Sequence, residues 1–153
     1  IKKYIMTNRP FRIVWLQQVW PKWQIVIPKE AREILELETW TELSVILKDN
    51  KHIWIVKNTN LSNFLNCMMN IKWHAEMFKI VWVVQVWPKW QIWIPKEARD
   101  SLSLFPWTDI ATILISKDGM NVMWLIRNND LQDFFNHVKQ LTKDMENLTN
   151  NNL

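Results

Sequence analysis

Glycine is almost missing from this chain. Gly119 is the single one in 153 residues. A glycine-rich loop that cradles phosphate is therefore not readable here. Cys67 is the single cysteine, so no disulfide closes within the chain. His52, His74 and His137 are scattered without ligand spacing, and no metal is expected, because structural zinc needs about four clustered ligands. No apolar run is long enough to span a bilayer, no signal-peptide pattern is apparent, and no membrane partner is expected. With that cysteine usage, a cytoplasmic location is the expectation. The sequence shows no Ser/His/Asp order around a nucleophile elbow and no acidic pair in a suggestive context. Neither enzymatic activity nor a cofactor is expected.

What the chain has instead is tryptophan, twelve of them, and an apolar fraction of 48%, enough for a core. The length suits one domain or two small ones. The formal charge is +4. Residues 1–70 carry ten Lys/Arg against six Asp/Glu, and residues 71–153 carry nine against nine. A modest basic balance permits nucleic-acid binding without demanding it, and by itself it fits a solvated surface equally well.

The dominant feature is an internal repeat. Val19–Arg32 reads VWPKWQIVIPKEAR and Val86–Arg99 reads VWPKWQIWIPKEAR, 67 residues later, with only Val26 and Trp93 different. Apolar alternation up to Val19 resumes at Ile25 and Ile27, the period of a half-buried strand. Trp20-Pro21-Lys22-Trp23 interrupts it as a turn. Pro28 is placed to open a short helix. Lys29 and Arg32, three apart, share one exposed face of that helix, with Ala31 and Leu35 opposite. The same reading holds for the second copy.

With its tryptophans read as glycines, Pro21–Arg32 becomes PKGQIVIPKEAR. That resembles the signature of the AbrB/MazE/SpoVT swapped-hairpin family of DNA-binding proteins. The continuations Leu35–Leu43 (LELETWTEL) and Leu102–Ile110 (LSLFPWTDI) are similar to that family's LGLKPGDKL-like stretch. The likeness spans roughly 45 residues in each half.

The family pattern has Gly where this chain has Trp20, Trp23, Trp40, Trp87, Trp90 and Trp107. Trp15 and Trp82, and Trp54 and Trp124, also fall at matching places in the two halves. Average glycine usage of about 7% predicts roughly eleven glycines; twelve Trp and one Gly together come close to that. Turn sites with φ > 0 are cheap for glycine and strained for a bulky residue. The expectation is a UGA codon that means glycine in a reassigned code and is written here as tryptophan. Ile1 in place of Met suits a non-standard start or a chain cut from a longer one. The alternative is that the tryptophans are native and form aromatic platforms.

The expected fold is mainly β (α+β): a swapped-hairpin double-split β-barrel of two tandem β-β-α-β-β units, each followed by a helix. The first unit is 11–57, a helix and linker follow at 58–77, the second unit is 78–127, and an amphipathic helix and tail fill 128–153. Strands are predicted at Phe11–Val19, Gln24–Ile27, Glu42–Lys48 and His52–Lys57. They recur from Phe78, with Thr108–Ser116 and Val122–Arg127 as the last two, joined through Lys117-Asp118-Gly119-Met120. Asn60 is placed to cap the helix carrying Leu61, Phe64, Leu65 and Met68, and Asn129 with Gln132 resembles a capping box. Each unit alone would bury too little surface. The two units pair within one chain as a pseudo-dimer, or each pairs with its equivalent in a second chain.

The resemblance implies that the loop before the helix and the helix start meet double-stranded DNA, at Lys22, Gln24, Lys29 and Arg32 and again at Lys89, Gln91, Lys96 and Arg99. Cationic side chains suit the phosphates, Arg can pair with guanine and Gln with adenine, and a twofold arrangement suits repeated half-sites. The bland reading is a solvated face with each Arg paired to Glu30 or Glu33. The family often has more arginines here. The lack of a cationic surplus in the second half leaves room for one copy to bind more weakly. The implied function is transcriptional regulation at a pseudo-palindromic site. An antitoxin-like protein is the alternative, with a toxin bound by the C-terminal helix, whose stripe is Leu131, Phe134, Phe135, Val138, Leu141, Met145 and Leu148. Packing of that stripe on the protein's own body is the simpler use. A sugar or single-strand binder built on tryptophan platforms is the third reading.

Overall fold

A computed structural model of the chain describes residues 11–69, 78–117, 120–136, 139, 140 and 143. The first repeat runs β1 (Phe11–Gln18), β2 (Gln24–Val26), α1 (Lys29–Ile34), β3 (Glu42–Lys48), β4 (His52–Lys57) and α2 (Leu61–Met69). The second runs β5 (Phe78–Gln85), β6 (Gln91–Trp93), α3 (Lys96–Leu102), β7 (Asp109–Lys117) and β8 (Met120–Arg127). Residues 131–136 are helical. The chain is mainly β, around an antiparallel six-stranded sheet of order β1-β7-β8-β4-β3-β5.

That order interleaves the repeats. β1 of the first pairs with β7 of the second, and β5 of the second pairs with β3 of the first. β4 and β8 meet at the centre, with Trp54 opposite Trp124. β2 and β6 form a separate two-stranded ribbon, with Ile25 opposite Ile92. The repeats thus pair within one chain.

Both faces of the sheet are covered at its four central strands, which is why β3, β4, β7 and β8 are almost continuously apolar. On one face Val45, Leu47, Ile53, Leu114 and Leu125 pack with Ile25, Ile92, Ala31 and Ala98, from the ribbon and the short helices. On the other, Ile46, Trp54, Ile113 and Trp124 pack with Phe64 of α2 and with Phe134. Burial of each such side chain stabilises the fold by about 1.5–3 kcal/mol. Leu131 and Phe134 of the expected C-terminal stripe reach this second core, whereas Phe135 is exposed. Val138, Leu141, Met145 and Leu148 lie outside the described residues.

Local signals differ from expectation at element ends. Pro28 is extended (φ −64°, ψ 151°), one residue before α1. Asn60 closes a 3₁₀ turn, Asn58–Asn60, that runs into α2, so it does not act as a cap. Gln132 bonds forward to Asn136, not back toward Asn129. Of the second hairpin, Asp118 and Gly119 lie outside the described residues. Both short helices end on a left-handed residue, Glu36 (φ 54°) and Ser103 (φ 52°). There Leu37 N–H donates to the Arg32 carbonyl and Leu104 N–H to the Arg99 carbonyl, both at 2.9 Å, a Schellman closure built without glycine.

The tryptophan turns carry the main strain. Trp23, Trp40, Trp90 and Trp107 have φ of 62°, 69°, 61° and 73°. In the turns 38–41 and 105–108, Thr41 N–H bonds the Glu38 carbonyl and Thr108 N–H the Phe105 carbonyl, with the tryptophan third. That is the type II position that wants glycine. Trp20 and Trp87 are different, since Trp87 sits at φ −85°. Trp15 and Trp82 flank equivalent β-bulges in β1 and β5. Trp54 and Trp124 are buried, with both indole N–H groups unpartnered, although a buried indole usually finds an acceptor.

Left-handed backbone costs a residue with a Cβ about 1–2 kcal/mol. Trp40→Gly with Trp107→Gly is therefore expected to raise the unfolding midpoint, by about 1 kcal/mol per site after glycine's own entropy cost. Trp54→Gly with Trp124→Gly in this chain should instead lower stability by about 3 kcal/mol or more per site, because a buried ring is lost. Denaturant melts of the two double variants check both signs.

Lys48 sits in the second core, 1% exposed, with its ammonium 5.5 Å from the ring centroids of both Trp54 and Trp124. Burial lowers its pKa from 10.5 to about 8, partly offset by the Asp49 carboxylate. In the window from about 8 to 10.5 the unfolded chain keeps a proton that the folded chain has released. Stability should therefore rise with pH across that window, by at most about 3 kcal/mol, with the full penalty present below it. Lys48→Met should abolish the rise, as read by denaturant melts at the two ends of the window.

Candidate functional site

The eight candidate residues gather around the β2–β6 ribbon. Each turn before the ribbon is fixed the same way. Trp23 N–H donates to the Trp20 carbonyl at 3.0 Å and Trp90 N–H to the Trp87 carbonyl at 3.1 Å. Pro21 and Pro88 take the second position, where a fixed φ helps. Lys22 and Lys89 take the third, at φ 71° and 68°. The ribbon sets Gln24 opposite Trp93 and Val26 opposite Gln91. Lys22, Lys29, Lys89 and Lys96 are exposed, and Gln24, Gln91, Arg32 and Arg99 are half-buried.

The structure regroups these residues relative to the sequence. Ile27 N–H donates to the Trp90 carbonyl at 2.7 Å and Ile94 N–H to the Trp23 carbonyl at 2.8 Å. Each turn therefore lies beside the chain entering the other repeat's helix. Lys22 belongs with α3, and Lys89 with α1. The sequence grouping of Lys22 with Lys29 and Arg32 follows chain order; the strand exchange overrides it.

The arginines follow the same crossing. The Arg32 guanidinium lies 4.9 Å from the Trp90 ring centroid, and that of Arg99 lies 4.7 Å from Trp23 and 5.2 Å from Trp93. Such stacking contributes about 0.5–2 kcal/mol per pair. Arg32 Nε also donates to its own Ile27 carbonyl at 3.1 Å, while Arg99 Nε is buried with no acceptor. Among the described residues neither arginine takes a carboxylate. Glu30 is bound by Arg12, Glu97 by Lys79, and Glu33 lies 3.9 Å from Lys29.

Several supporting residues left no signal in the sequence. Gln17 of β1 clasps Val26 on both sides, donating to its carbonyl at 2.8 Å and accepting its N–H at 3.0 Å. Lys57 reaches the Glu36 carbonyl at 3.1 Å, and Arg127 the Leu102 carbonyl at 3.4 Å. These cations cap the carbonyl ends of α1 and α3. All three contacts depend on strands placed by the sheet, not on local spacing.

Among the described residues no three of His, Cys, Asp or Glu come together as a metal site, and no helix is long and apolar enough to cross a membrane. Compared with protein-family models and with curated proteins, the chain matches none.

A double-mutant cycle with Arg99→Ala and Trp23→Leu tests the crossed stack. A coupling of about 0.5–2 kcal/mol is expected in unfolding free energy. Additivity would show that the ring and the guanidinium touch without holding each other.

Proposed function

We propose that this chain is a DNA-binding transcriptional regulator that uses the β2–β6 ribbon, its two turns and the starts of α1 and α3 against a duplex. In this reading the exchanged strands and the ribbon are the two parts of a swapped-hairpin double-split β-barrel, folded within one chain as a pseudo-dimer. The supporting observation is the gathering of four exposed lysines, two from each repeat, around one antiparallel ribbon. A duplex presents phosphates on both sides of a groove, and paired cationic loops fit that charge pattern. The stacked arginines act here chiefly as positioning groups, holding each turn so that its lysine faces the phosphates.

The exposure of Trp20, Trp87 and Trp93, at 46%, 48% and 36%, favours a second reading if tryptophan is the native residue. Indole faces beside lysines suit single strands, whose bases stack on them. An antitoxin-like tail has no comparable support, because most of its stripe lies outside the described residues.

Fluorescence anisotropy with labelled duplex and single strands, across a salt series, separates these readings. Duplex binding should weaken linearly in log–log form as salt rises. Arg32→Ala with Arg99→Ala should weaken it at moderate salt. Unchanged affinity in that variant refutes the assigned face. Tighter binding of single strands, with quenched tryptophan emission, selects the second reading.

A further inference from the structure

We infer that the two ends of the interface are unequal, and that a duplex is held mainly where the Trp20–Trp23 turn meets α3. This rests on the duplex-binding reading above and goes further, by giving the interface a direction.

The two repeats share the same cations around the ribbon but not the same carboxylates. Residues 20–38 hold three cations, Lys22, Lys29 and Arg32, against four carboxylates, Glu30, Glu33, Glu36 and Glu38. Residues 87–105, at the same offsets, hold three cations, Lys89, Lys96 and Arg99, against two, Glu97 and Asp100. Ser103 stands in place of Glu36 and Phe105 in place of Glu38, and all four positions are exposed. Glu30 and Glu97 are each bound by a cation of the first strand of their own repeat, Arg12 and Lys79, so they cancel between the two sides. Lys29 has Glu33 at 3.9 Å. Among the described residues Lys96 is in no ion pair, since Asp100, one methylene shorter than Glu33, does not reach it.

The strand exchange then fixes how these charges combine. The Trp23 carbonyl is bonded to Ile94, at the entry to α3, and the Trp90 carbonyl to Ile27, at the entry to α1. One end therefore presents Lys22 with Lys96 beside two carboxylates. The other presents Lys89 with Lys29 beside four. A polyanion within a Debye length, about 10 Å at moderate salt, meets attraction at the first end and near-cancellation at the second. Counting charge by halves of the chain points the wrong way. Part of the cationic surplus of residues 1–70 comes from Lys48 and Lys51, at the end of β3 and in the turn after it, and not from residues 20–38.

The functional consequence is polarity. A symmetric pseudo-dimer reads a palindrome, whereas this one favours a site with one dominant half and one permissive half.

Paired variants of the full chain, among them Lys22→Ala with Lys29→Ala, test it on a labelled mixed-sequence duplex of roughly 30 base pairs, in a salt series. All four lysines are exposed, and unchanged circular dichroism verifies that the fold is kept. Lys22→Ala with Lys96→Ala should lower affinity by about tenfold or more and reduce the salt slope by about two. Lys29→Ala with Lys89→Ala should cost less than about threefold, with a slope change below about one. Glu36→Ser with Glu38→Ser should tighten binding. Equal losses from the two lysine pairs overturn the asymmetry and leave duplex binding standing. Larger losses from Lys22 with Lys29 than from Lys22 with Lys96 overturn the crossed grouping. Failure of the unaltered chain to bind the duplex at low salt overturns the duplex reading, and this inference with it.

Discussion

Neither repeat can satisfy its own first strand. The backbone N–H and C=O groups along the paired edge of β1 find partners on β7, and those of β5 find them on β3. Unpaired backbone groups in a buried sheet cost about as much as lost hydrogen bonds. The halves are thereby committed to one another, and no half has a complete sheet alone. The same exchange makes the ribbon, in which β2 and β6 pair with each other apart from the six-stranded sheet. Everything proposed about function inherits this crossing. It decides which turn lies beside which helix, and which arginine stacks on which tryptophan.

The chain holds two copies of one design that differ in sequence on a scaffold where they pair. The β3 residue Lys48 has the aliphatic Ile115 as its repeat counterpart. A cation is thus buried on one side of the central pair only, against the rings of Trp54 and Trp124. Around the ribbon the difference is electrostatic: the cations recur and the second copy has fewer carboxylates. Exposed residues change charge at little cost to stability, so such asymmetry accumulates without disturbing the sheet.

The tryptophans bear on fold and function together. At four turn positions the backbone takes the left-handed conformation although a Cβ opposes it. A fold that holds several such residues must have its turns over-determined by the strands that flank them. Here they are: the Trp40 and Trp107 N–H groups bond to Val86 and Val19 carbonyls at 2.6 Å, across the repeats. These are positions where glycine would relieve the strain. At Trp23 and Trp90 glycine would also remove one ring from beneath each guanidinium, leaving Arg99 stacked on Trp93 alone.

The repeat, the strand and helix order within it, and the turns are legible in the residues alone, because they depend on short-range periodicity and on what φ a residue tolerates. β3 and β4 fall where their β-branched runs predict, and all eight candidate residues recur at a fixed offset. Cap positions were less legible. Asn60 falls within a 3₁₀ turn and Gln132 bonds Asn136, outcomes that residue type alone does not rank. The grouping of the eight residues comes from the pairing of strands distant in the chain. Lys22 and Lys29 are seven residues apart in the chain, yet Lys22 belongs with Lys96, because the backbone bonds that place the turn come from the other repeat. Hydrogen bonds between distant strands leave no periodic trace in a sequence, and neither does the stacking of an arginine on a ring nearly sixty residues away.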